Sequence, residues 1–226
     1  MKNSKNIYDF DQNEIKKKLT SYFRNNKANI NKFGNRVNQT FEAYVFADTI
    51  SRYRKNNWNI EIINPTQKKG IKIFKLKFST NGLPNNYSYA RCEKGRQKCQ
   101  IRHQLRIRTY ADEDGSANLC CDIAVIEDMD LSGYTSFDAV ENKYLKAFGE
   151  VKHMAAYAEL ISSFKGLVSE LAPNSLDGKY KRNHVKPFLF VSGMIYRSAE
   201  GIIYTFKKRK YAFEIISYKL MRKNGV

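Results

Sequence analysis

The sequence predicts an α/β fold, with helices packed on a mixed central sheet. Three stretches carry that expectation. Residues 98–110 alternate polar and apolar, the period-2 pattern of a half-buried strand, and an acidic turn leads from them into the apolar strand Leu119–Ile126. Tyr157, Leu160, Ile161, Phe164, Leu167, Val168 and Leu171 fall at steps of three and four, the stripe of an amphipathic helix. Short apolar runs flank that helix, at 148–152 and 187–191. Two strands joined by a helical crossover pair in parallel, so parallel and antiparallel neighbours share the sheet.

In chain order, Asp11-Gln12-Asn13-Glu14 reads as a helix start, with Asp11 as cap and Glu14 three residues on. Ile15, Leu19, Tyr22 and Phe23 form its narrow apolar stripe, and Asn25-Asn26 and Gly34 break the pattern. Residues 1–30 are therefore expected as a helical arm and residues 31–226 as one domain. A stronger helix is expected from about Arg36 to Tyr53, with Phe41, Tyr44, Val45, Phe46 and Ile50 in its apolar set. Glu42 shares a face with Phe46, Thr49 and Ile50. A buried lone carboxylate is costly, so Glu42 needs a basic partner or a metal ion.

Strand composition begins at Trp58. Ile60-Glu61-Ile62-Ile63 stops at Asn64-Pro65, and Ile71–Phe78 is expected as a further strand with a shift in alternation near Phe74. Gly, Pro and Asn mark residues 79–86 as loop. In the 98–110 strand, Cys99, Ile101, His103, Leu105 and Ile107 point one way; Lys98, Gln100, Arg102, Gln104, Arg106 and Arg108 point the other. The second set is either a solvated face or a row of cations that follows a phosphate backbone. Asp112-Glu113-Asp114-Gly115 closes the hairpin. Leu119–Ile126 is apolar on both faces, as in a central strand, and Asp122 is its single carboxylate.

Residues 129–146 form a charged connector. Ala172-Pro173 ends the long helix, and Lys179, Lys181 and Arg182 lie in the loop before Pro187–Val191. A last helix is expected from about Ser198 to Met221, carrying Lys207-Lys208-Arg209-Lys210.

A formal charge of +18 repels itself and calls for an anionic partner, nucleic acid first. No apolar run approaches the ~18 residues of a membrane span, and no apolar signal region follows Met1-Lys2-Asn3-Ser4-Lys5. A cytoplasmic protein with no membrane partner is expected. Four cysteines are too few for a disulfide scaffold of this size, and no Gly-rich phosphate loop points to NTP hydrolysis.

Within 148–152, Glu150 and Lys152 stand two apart on a strand and share a side. An acid, any residue, then Lys occurs four times, at Glu14, Glu141, Glu150 and Asp177; only Glu150 lies in an apolar stretch with a strong helix behind it. A carboxylate there can bind a hard cation, and the ammonium beside it can steady a water or a developing negative charge.

The order is a helix with Glu42, antiparallel strands, a strand with Asp122, a strand with Glu150-Val151-Lys152, an amphipathic helix and the buried strand 188–191. It resembles the PD-(D/E)XK nuclease superfamily over about residues 36–192. Cys121 stands where the family name has Pro, and the connector from Asp122 to Glu150 is long. The resemblance implies a restriction-endonuclease-like, three-layer α/β/α core. It implies Asp122 and Glu150 as ligands of Mg²⁺, with Mn²⁺ as substitute, Lys152 positioning the attacking water, and Glu42 as the matching carboxylate of the first helix. The function implied is a metal-dependent DNA endonuclease of restriction or phage defence, a homodimer being one arrangement such enzymes adopt. A non-cutting nucleic-acid-binding module and an RNA-directed nuclease are the alternatives. Arg102, Arg106, Arg108, Lys179, Lys181, Arg182 and the run Lys207, Lys208, Arg209 and Lys210 are the expected phosphate contacts.

Overall fold

A computed structural model describes residues 37–66, 70, 72–79 and 81–218, so the expected N-terminal arm lies outside the described residues. Seven strands form one mixed sheet whose spatial order follows the chain. β1 (Asn59–Ile63), β2 (Tyr89–Lys94), β3 (Gln97–Arg108), β4 (Asn118–Glu127) and β5 (Leu145–Lys152) are successively antiparallel. β6 (Phe188–Val191) and β7 (Glu214–Ser217) continue parallel to β5. Helix α1 (Val37–Lys55) precedes the sheet; α2 (Ala158–Leu171) joins β5 to β6, and α3 (Arg197–Lys208) joins β6 to β7.

Two cores make the layers. Phe41, Tyr44, Val45 and Phe46 of α1 pack on one sheet face with Ile101, Ile123, Val151 and Phe190. On the other face, Ile161, Phe164 and Val168 of α2 and Ile203 and Phe206 of α3 pack with Phe148, Leu189 and Val191. Each fully buried side chain of this size contributes about 1.5–3 kcal/mol. β6 divides its residues between both cores, which is why it reads as an unbroken apolar run. Gly149 of β5 is set by this packing: a Cβ there would stand 2.1 Å from the Phe188 ring.

Three expectations are corrected. The strand expected over 71–78 does not form among the described residues; Lys72 bridges Thr66, Lys75 bonds with Ser88, and Leu76 packs into the α1 core. Its place beside β1 is taken by β2, where Ala90 and Cys92 bury alternately and Gly95, at φ +58°, turns the chain into β3. The last helix stops at Lys208; Lys210 adopts φ 57°, and the following Ile215-Ile216 pair against β6 as β7. The alternation of β3 does not run through. Cys99 and Ile101 pack toward α1, whereas Leu105 and Ile107 pack toward α2, so the strand changes face between them. β4 does the same: Cys121 belongs to the α2 core and Ile123 to the α1 core. Among the described residues, no helix is long and apolar enough to cross a membrane.

Candidate functional site

The face change falls at one rung, Gln104 opposite Asp122, where the β3–β4 register skips a pair. Gln104 takes φ 53°, a left-handed conformation that costs a non-glycine residue about 1–3 kcal/mol and gathers at functional sites. On its other side β4 pairs with β5 as far as Ile123–Gly149, and beyond that rung the two strands part. Asp122 fills the fork. Its Oδ2 accepts the Val151 N–H at 2.8 Å and the Lys152 ammonium at 3.1 Å. The same ammonium stands 2.9 Å from Glu150 Oε2. Gln104 Nε2 donates to Asp122 Oδ1 at 2.7 Å and to Glu42 Oε2 at 3.2 Å. One ammonium and one amide therefore tie together all three carboxylates singled out in the sequence.

Glu42 comes from α1 and meets the sheet at His103. The ring's Nε2 lies 3.2 Å from Glu42 Oε2, an ion-pair distance without hydrogen-bond alignment. Phe46 and Phe78 pack against the same ring edge-to-face. Cys120 Sγ donates to Gln104 Oε1 at 3.4 Å, so both ends of that amide are held.

Asp122 is 6% exposed and Glu150 7%. Burial, and then the charge of Asp122, pushes the Glu150 carboxyl up to about 7. Burial pulls the Lys152 ammonium down, but Glu150 and Asp122 together outweigh it and hold its pKa above the ordinary lysine range. Lys152 is thus a fixed cation here. Lys77 stands near Cys120 and Arg106; burial lowers its pKa, an effect Cys120 opposes and Arg106 reinforces.

The expected phosphate contacts separate. Arg102 is 3% exposed: it lies over the Tyr89 ring at 3.8 Å, donates to Gln100, Pro84 and Asn85, and is pushed down to about 10 by burial. It serves the packing of the sheet, and the face change at Gln104 puts Arg106 on the opposite side. Arg106 donates to Asn118, and Arg108 faces Asp112 across 4.0 Å in the hairpin turn. Lys179, Lys181 and Arg182 are exposed, and Lys181 reaches back to Leu145 O, where β5 begins. Lys207, Lys208, Arg209 and Lys210 are also exposed, at the end of α3 away from the Lys152–Val191 rung. A Cβ on Gly178 would stand 2.9 Å from Lys210 O, so the two basic loops adjoin. Both therefore sit at the end of the sheet opposite the carboxylates.

Gln104 and His103 are the members the sequence pattern hides, and Lys77 is a buried cation near Cys120 that it also hides. Gln104 reads as one more outward polar residue of β3; only its register opposite Asp122 marks it. Lys77 lies between Leu76 and Phe78 in a segment where, among the described residues, no strand forms to fix which side each residue faces.

No protein-family model matches the chain, and searches of the curated proteins and of the solved structures found no match.

Proposed function

We propose that this domain has the restriction-endonuclease-like fold and is a metal-dependent DNA endonuclease. The observation that carries the reading is the meeting of Asp122, Glu150, Lys152 and Glu42 at the single fork between β4 and β5. Two further features support it. The helix–meander–helix–strand order around the fork resembles that of the PD-(D/E)XK superfamily, and the chain carries a formal charge of +18.

The donor chemistry fits a hard divalent cation. Asp122 and Glu150 are buried oxygens whose charge the single Lys152 ammonium leaves incompletely offset, and Glu42 adds a third carboxylate beside them. Mg²⁺ needs only one or two protein carboxylates and keeps waters for its other positions. Among the described residues no three acidic, His or Cys side chains stand as a ready cage. Asp122 and Glu150 would thus be the ligands, with Glu42 acting through Gln104 or a water. Bound there, Mg²⁺ or Mn²⁺ would neutralise phosphate charge and acidify a coordinated water.

The chain's own residues supply the rest. Lys152, held protonated, offers positive charge to the phosphate as negative charge builds during attack. Gln104 and the Val151 N–H fix both oxygens of Asp122, so its orientation is set before substrate arrives. Glu42 and His103 hold Gln104 from the α1 side. A role in restriction or phage defence follows from the resemblance alone.

A second reading is a non-cutting nucleic-acid-binding module, favoured by the way Lys152 already bridges Asp122 and Glu150. Supercoiled and linear DNA incubated with Mg²⁺ and with EDTA separate the two. The nuclease reading expects cleavage that EDTA abolishes; intact DNA, bound but uncut with Mg²⁺ or Mn²⁺, selects the binding module. RNA cut in preference to DNA would select the RNA-directed nuclease.

A further inference from the structure

The opposite end of the sheet carries a second constellation. Leu145, whose carbonyl binds Lys181 Nζ at 2.8 Å, opens β5 five residues before Glu150, roughly 17 Å away along the strand. A cavity of about 600 Å³ opens there, walled by Arg96, Lys98, Lys146, Lys181 and Arg182 against two acids, Glu127 and Asp128. Both acids are engaged. Glu127 pairs with Lys146, and Asp128 accepts from Gln100 at 2.6 Å and lies 3.5 Å from Arg91. Lys98 pairs with Glu93 at 2.9 Å. Among the described residues, no carboxylate pairs with Lys181, Arg182 or Arg96. The positive field is felt locally: burial, then Lys146, lowers the Lys181 pKa, and burial with both lysines brings His184 down to about 4.

A second cavity, about 500 Å³, shares Lys146 and Lys181 with the first. Its other walls include Phe148, Leu171, Pro173, Tyr180 and Pro187. A cationic cavity and a largely apolar one thus share the Lys146 and Lys181 side chains as walls. Volumes of this size suit small-molecule ligands.

We propose that the two neighbouring cavities together bind a nucleotide-like organic phosphate, its phosphate between Lys146, Lys181 and Arg182 and its ring in the apolar cavity beside Tyr180. Lys146 is held by Glu127 and Lys181 by the Leu145 carbonyl, so these cations are set in place before an anion arrives. The apolar chamber distinguishes the site from an open phosphate groove, because a polymer backbone has no use for a walled pocket beside each phosphate. The site is independent of the nuclease reading and stands or falls without it.

The test is calorimetric titration of the full chain, in EDTA, with each nucleoside monophosphate, the matching nucleoside, inorganic phosphate and a short oligonucleotide. At least one monophosphate is expected to bind about tenfold or more tightly than phosphate, with its nucleoside weaker still. Arg182→Glu, on an exposed side chain, should weaken that binding by about tenfold with the circular dichroism unchanged, and Lys181→Ala should do likewise. Tyr180→Ala should weaken the monophosphate and leave inorganic phosphate unaffected. Failure of every monophosphate to bind below about 1 mM overturns the proposal. So does binding that Arg182→Glu leaves unchanged. Oligonucleotide binding lost in Arg182→Glu, with no monophosphate bound, overturns it too and gives the cavity to a polymer backbone.

Discussion

The two ends of the sheet hold charge in opposite ways. At the Glu150 end the charged groups are few and tied to one another, with Asp122 and Glu150 buried and Lys152 partly exposed: Asp122 alone takes bonds from Val151, Lys152 and Gln104. At the Lys146 end they are exposed, numerous and mostly of one sign, with Lys179, Lys181, Arg182 and the run Lys207 to Lys210 on adjoining loops. Buried, mutually oriented charge is costly to assemble, and removing one partner leaves the others uncompensated. Exposed charge in excess costs little and attracts. On the proposed reading, labour is divided along the sheet, with reaction at the carboxylate end and capture of anions at the basic end.

The division breaks first if the buried end can lose its cation without consequence. Lys152→Ala is expected to lower the Mg²⁺-dependent cleavage rate about 100- to 1,000-fold at nearly unchanged DNA affinity. Folding of that variant is checked with Mg²⁺ present, because removing one partner of a buried charge cluster also destabilises it.

The basic end makes a stability prediction of its own. His184 is buried against Tyr53, whose hydroxyl lies 2.9 Å from its Nδ1, and against Trp58. Its pKa in the fold is about 4, below the ordinary 6.5. Above pH 6.5 the ring is neutral whether folded or not, and stability is full. Between pH 6.5 and pH 4 the unfolded chain takes up a proton that the fold refuses, so stability falls by about 3 kcal/mol across that window. Urea unfolding at pH 7 and pH 5 measures the slope, and His184→Gln should flatten it.

A smaller effect is expected at the join between the layers. Gly149→Ala would drive a methyl into the Phe188 ring and should cost about 1–3 kcal/mol by overpacking, seen as a lower unfolding midpoint. Because Glu150 is the next residue, cleavage should fall with it.

The smallest effects sharpen the comparison most finely. Each cation that neutralises a phosphate steepens the log K against log salt line by about 0.9. Lys208→Ala should flatten that line by about one unit if DNA reaches the basic end. Arg102→Ala should leave the slope unchanged and lower stability instead, because its guanidinium is spent on Tyr89, Gln100 and Pro84.

Much of this architecture is legible in the sequence because it rests on periodicity. The α2 stripe, the β3–β4 hairpin and the parallel β5–β6 pair across a helix all follow from spacing and turn residues. Glu150 and Lys152 share a side because alternation is local. The rest depends on contacts that spacing does not encode. A single left-handed residue, Gln104, turns β3 over and sends Arg102 and Arg106 to opposite faces. β2 escapes notice because its run is short and carries Arg91 and Glu93 on the partly exposed face. β7 hides behind a helix whose stop, Lys210, is not one of the usual terminators. The separation of cations from carboxylates is likewise tertiary: it follows from α3 running back along the sheet from the rung that holds Lys152.

The most direct test of the division is single-turnover cleavage at saturating DNA, which separates the chemical step from capture. Lys152→Ala and Lys208→Ala are measured beside the unaltered protein, with affinities determined in EDTA. The account predicts that Lys152→Ala loses rate while retaining affinity, and that Lys208→Ala keeps its rate at saturation while binding more weakly. Cleavage by Lys152→Ala at the unaltered rate, or a rate at saturation that falls only in Lys208→Ala, would contradict it.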